Sequence, residues 1–99
     1  MKKILLTLCL LISSLFAFNA KSIVDSVCYA CHGSQMEQSC YGVSKVPNVL
    51  SSSDILKALK GYKSGEKSDY GMGAVMNSQV GSLSHEELKA LAEYIPTLR

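Results

Sequence analysis

The apolar positions of this chain fall into one long run followed by three helical stripes. Residues 4–18 are apolar except for Thr7, Ser13 and Ser14, and Met1-Lys2-Lys3 precedes them. A basic start and an apolar run of this length suit an export leader, and the run is short of the ~20 residues of a membrane-spanning helix. The expected leader is 1–20, cut after Ala20. Phe18, three positions before that cut, is larger than the usual small residue, so cleavage after Ala17 is an alternative, and an uncleaved anchor is a second. Cys9 has too little apolar sequence before it for a lipidation site and reads as one more apolar leader residue.

The first stripe covers residues 22–31. Val24, Val27, Cys28 and Cys31 recur at i, i+3, i+4 and i+7, the spacing of one helix face. Gly33 follows His32 as a left-handed cap. The second covers 54–62, where Ile55, Leu56, Ala58, Leu59 and Tyr62 share a face and Lys57, Lys60 and Lys63 fall on another. Ser53 is placed to cap its start, and Gly61 or Gly65 marks its exit. The third opens on Ser84-His85-Glu86-Glu87, a capping box with Ser84 at N-cap and Glu87 at N3. Leu83 and Leu88 suit a hydrophobic staple, Leu88, Leu91, Ala92 and Ile95 form the core stripe, and Pro96 ends the helix. No window alternates as a strand would. Between the last two helices lies a glycine-rich stretch, 65–81, carrying Met72 and Met76. The pattern predicts an all-α chain with three main helices.

Composition narrows this. The 99 residues carry ten Lys plus Arg against eight Asp plus Glu. Lys2 and Lys3 leave with the leader, so the single domain 21–99 is balanced in charge, which argues against nucleic acid as a partner. A domain this small buries little core and needs a staple.

Residues 28–32, Cys-Tyr-Ala-Cys-His, supply one. C-x-x-C-H is the attachment sequence of a c-type haem. Cys28, Cys31 and His32 share a helix face at three- and four-residue spacing. Two thiols there can add to the two vinyl groups of one haem, with the imidazole beneath the iron. Export also places the thiols in an oxidising compartment, and Cys40 is left without a partner. The far side of the iron has four candidates: Met36, Met72, Met76 and His85. Met36 is too close to His32 to cross the ring. Met72 and Met76 are far enough along to wrap it, and residue spacing does not separate them. Gly71 and Gly73 would let the backbone approach the flat ring. His85 sits in the first turn of a helix, on its polar side, and reads as a surface residue.

With these motifs in hand, the chain resembles a small monohaem class I cytochrome c of the short periplasmic bacterial kind. The resemblance is carried by Cys28 to Gly33, Leu59-Lys-Gly-Tyr62-Lys-Ser-Gly65, the Met76 region and the stretch from Leu83 to Ile95. It implies a fold of helices and loops wrapped around one covalent haem c, with the terminal helices crossing so that Tyr94 meets the first. It implies Met76, eight residues before the capping serine, as the second axial iron ligand opposite His32, with Met72 as fallback. It implies Pro47 in the loop whose carbonyl accepts the proximal imidazole N–H. It also implies a periplasmic, monomeric electron carrier without enzymatic activity or a small-molecule substrate. Its partners would be membrane or periplasmic redox proteins, such as a quinol-oxidising complex as donor and a terminal oxidase or peroxidase as acceptor. Cys40 departs from the family pattern and reads as a small, partly buried residue. Lys57, Lys60, Lys63 and Lys67 read as a solvated face or as a steering patch for an acidic partner.

Two other functions compete. A haem enzyme or gas sensor with an open iron position needs neither methionine as ligand, but the chain offers no evident acid–base pair. A haem-free module built on Cys28, Cys31, His32 and Cys40 has the count for a Cys₃His zinc site. Adjacent Cys31 and His32 rarely both reach one tetrahedral ion, and a thioredoxin-like C-x-x-C expects a βαβ context that is absent here.

Overall fold

The computed structural model describes residues 19–42, 44–68 and 71–99. The expected leader, Cys9 included, lies outside the described residues except for Asn19 and Ala20.

Among the described residues helix α1 covers 19–32. Its middle, Val24–Cys28, is a π-helical turn in which the Tyr29 N–H donates to the Val24 carbonyl, and Tyr29–His32 closes it as an α-turn. The expected stripe therefore carries one extra residue in the turn that ends on Cys28. Val24 is buried, while Val27, Cys28 and Cys31 are half-buried. Gly33 takes a positive φ of 84°, as expected, but its ψ of 162° extends the chain away instead of closing a left-handed cap.

Helix α2, Ser52–Ser64, begins earlier than its apolar stripe. Ser51, not Ser53, is the N-cap, with its hydroxyl accepting the Asp54 N–H at 3.2 Å. Gly65, left-handed at φ 83°, ends it. Helix α3, Gly73–Val80, occupies the stretch that sequence pattern leaves as a connection. Helix α4, His85–Tyr94, has the expected capping box: Ser84 N–H donates to Glu87 Oε1 at 3.0 Å, and Glu87 N–H to Ser84 Oγ at 3.1 Å. Pro96 tightens the chain into a 3₁₀ turn, Ile95–Leu98. Shorter 3₁₀ turns cover Cys40–Gly42 and Pro47–Val49. No strand occurs among the described residues, and the class is all-α.

Helix α2 packs against both α3 and α4, and the Pro47–Val49 turn rests on the Ile95–Leu98 turn. Leu88, Leu91, Val24 and Val80 are fully buried at the centre, joined by Ile55, Leu59 and Ile95. Burial of a side chain of this kind contributes about 1.5–3 kcal/mol. The terminal helices meet: Asn19 Nδ2 donates to Glu87 Oε2 at 3.0 Å, and Tyr94 lies near enough to act on the charge of Lys21.

Candidate functional site

A cavity of about 1070 Å³ opens between α1, α2, α3 and the loop after His32. Its lining includes Cys28, Cys31 and His32 around the last turn of α1, Met72 at the N-cap of α3 and Met76 within it, and the apolar Leu59, Leu91 and Ile95. Residues far apart in sequence thus share one pocket, slightly above the usual range of about 300–1,000 Å³ for small-molecule sites.

The chain after α1 is built to hold His32. The imidazole is buried, and its Nδ1 lies 3.0 Å from the Gln38 carbonyl. Gln38 N–H in turn donates to the His32 carbonyl at 2.9 Å. An Nδ1–H given to that carbonyl fixes the ring and leaves the Nε2 lone pair for a metal. The expected acceptor beside Pro47 is not the one used here. Pro47 lines the cavity and starts its own 3₁₀ turn, but the loop folds back earlier and brings Gln38 to the ring. Two features make the early return. Gly33 takes a φ of 84°, a conformation that residues with a side chain rarely adopt. Met36 adopts a left-handed φ of 57°, uncommon outside glycine, with its side chain buried. Buried Asn48 secures the loop: its N–H donates to the Met36 carbonyl and its Nδ2 to the Gln35 carbonyl, both at 3.0 Å. Arg99 Nε closes the arrangement from the C-terminus by donating to the Asn48 carbonyl at 2.7 Å. Sequence reading missed Gln38 and Asn48. A backbone acceptor leaves no side-chain signature, and one asparagine after a proline is unremarkable.

The thiols face a dry wall. Burial, reinforced by the neighbouring Cys31, pushes the Cys28 thiol up to about 11. Cys40 is buried beside Cys31, within hydrogen-bonding reach, and burial followed by that contact raises its thiol as well. Both stay protonated at neutral pH, the state in which a thiol is a poor free nucleophile.

At the start of α3 the Met76 N–H donates to the Met72 carbonyl at 3.0 Å. Both side chains line the cavity and are half-buried, and Met76 also packs against the buried core. Gly73 gives the close approach expected of it, but to protein: a Cβ there would strike the Lys67 carbonyl and the Ser68 side chain. His85, exposed at the start of α4, reaches the same cavity. Lys57, Lys60 and Lys67 border it, joined by Lys45. Lys63 does not, because its ammonium donates to the Gly81 and Leu83 carbonyls at 2.8 and 2.6 Å.

The cytochrome c family profile matches residues 17–99. The chain belongs to the cytochrome c family. It is 40% identical over 101 residues to cytochrome c-553 of Helicobacter pylori (strain ATCC 700392 / 26695), covering all of both chains. It is 31% identical over 105 residues to cytochrome c-553 of Nitratidesulfovibrio vulgaris (strain DSM 19637 / Miyazaki F), covering 99% of this chain and 100% of that one. No solved structure matches it.

Membership implies one covalent haem c with its iron, and the donor set fits that group. Two thiols, an oriented imidazole and two thioethers line one cavity together with apolar side chains. Cys28 and Cys31 would hold the macrocycle and His32 would face the iron. The bound group supplies a reversible one-electron centre, so the chain is a haem c electron carrier with other redox proteins as its partners.

Proposed function

We propose that this cytochrome works in the periplasm as a one-electron shuttle, with His32 and Met76 on the two faces of the iron. The observation that carries this reading is the sharing of one cavity by the Cys28–His32 wall and the α3 methionines. A thioether opposite an imidazole raises the potential and leaves no position for a substrate, so the protein is a carrier and not an enzyme. Met76 is preferred to Met72 because core packing on α3 holds it in place. Gln38 orients His32, and Pro47 shapes the wall beside it. Lys45, Lys57, Lys60 and Lys67 at the cavity border support docking of an acidic partner near the haem edge. The apolar leader supports export, and no helix among the described residues is long and apolar enough to cross a membrane.

A potentiometric titration of holoprotein from a periplasmic fraction tests the proposal. One reversible one-electron wave, with no turnover of peroxide or other small molecules, is expected. Turnover of a small molecule at an open iron, or absence of the protein from that fraction, would overturn it.

A further inference from the structure

The start of α1 contains two residues that the expected cut after Ala20 would discard. We infer that the leader is instead removed between Ala17 and Phe18, so that Asn19 and Ala20 belong to the working domain. This rests on the export reading above and adds the position of the processing site.

Ala20 is 0% exposed and sits in the central core with Val24, Leu88 and Leu91. Its neighbour Lys21 senses Tyr94 on the last helix. Asn19 reaches the same helix by donating to Glu87 Oε2, while Glu87 Oε1 accepts the Ser84 N–H. One carboxylate therefore serves both the capping box of α4 and Asn19 of α1. Cutting after Ala20 would remove a core methyl and the Asn19 bond together. The family match begins at residue 17, so it spans both residues.

The cut must then fall before Asn19. Reading back along the sequence, Ala17 is the first small residue, the type preferred immediately before a leader's scissile bond. Hydrolysis by a signal peptidase adds water across the Ala17–Phe18 peptide bond. Ala17 leaves with the new carboxylate, and Phe18 keeps the new ammonium.

The test is the intact mass and N-terminal sequence of holoprotein produced with its own leader. A chain beginning at Phe18 is expected. A chain beginning at Lys21 would overturn the inference while leaving export intact. A chain still beginning at Met1, in the membrane fraction, would also overturn it, as an uncleaved anchor. A second measurement compares holoproteins made behind a foreign leader, one starting at Phe18 and one at Lys21. The shorter form should melt several degrees lower, and Asn19→Ala should lower the melting temperature of the longer form by part of that difference. Equal melting temperatures would contradict a place for Asn19 and Ala20 in the working domain.

Discussion

Met72 and Met76 lie one helical turn apart on α3, linked through the Met76 N–H and the Met72 carbonyl at 3.0 Å. Both line the cavity that His32 also lines. Met72 is the N-cap residue, outside the helix proper, whereas Met76 is inside it and packed on the core. Met76→Ala should open the iron, so that the reduced protein binds carbon monoxide and its midpoint potential falls. Met72→Ala should leave both unchanged. The opposite pair of results would move the ligand to Met72.

Gly73, the first residue of α3, is fixed by contact with Lys67 and Ser68. A methyl there must displace backbone, at a cost of about 1–3 kcal/mol. Gly73→Ala should lower the melting temperature of the holoprotein and loosen Met76, seen as a partial carbon monoxide response. An unchanged melting temperature would mean that the 65–73 segment yields without resistance.

The capping box gives a stability prediction with a pH dependence. Ser84→Ala removes the acceptor for the Glu87 N–H and should cost about 1 kcal/mol. The Ser84 N–H, with smaller help from Asn19, holds the Glu87 carboxyl below its ordinary range. A depressed carboxyl stabilises the fold fully above the pKa of an unfolded glutamate and loses that contribution as pH falls through its folded pKa. Glu87→Gln should therefore destabilise at neutral pH and flatten this part of the acid limb in a thermal melt series. An acid limb of unchanged slope would contradict the assignment.

Lys57 and Lys60 border the cavity from α2. Reversing both to glutamate should slow association with an acidic redox partner about tenfold at low salt, with the difference shrinking as salt screens it. Stopped-flow electron transfer across a range of ionic strengths checks this. Equal rates at low salt would reduce these lysines to a solvated face.

How far the sequence reveals this molecule depends on where each signal is stored. The capping box of α4 is written in side chains that bond locally, and it stands as the pattern requires. Helix α3 is invisible because its stability comes from elsewhere. It opens on a glycine and carries Asn77 and Ser78, all poor helix formers. Tertiary bonds hold it: Asn77 Nδ2 donates to the Tyr62 and Lys63 carbonyls, and Lys63 Nζ reaches the Gly81 carbonyl beyond its end. The π turn in α1 likewise has no local signature. In the site, Cys28, Cys31 and His32 are legible because covalent attachment demands their spacing. The partner of His32 is not, because a carbonyl belongs to every residue and only the folded loop selects Gln38. Lys63 shows the same limit for charge, since periodicity puts it with Lys57 and Lys60 but the fold turns it to backbone carbonyls.

One covalent haem closed on both faces by His32 and Met76 has a direct optical signature. The spectrum of the reduced holoprotein before and after carbon monoxide reads it, with haem retention checked after denaturing extraction. Haem should stay with the polypeptide, and a six-coordinate low-spin spectrum should not change with carbon monoxide. Extractable haem, or a spectrum that shifts readily with carbon monoxide, would contradict it.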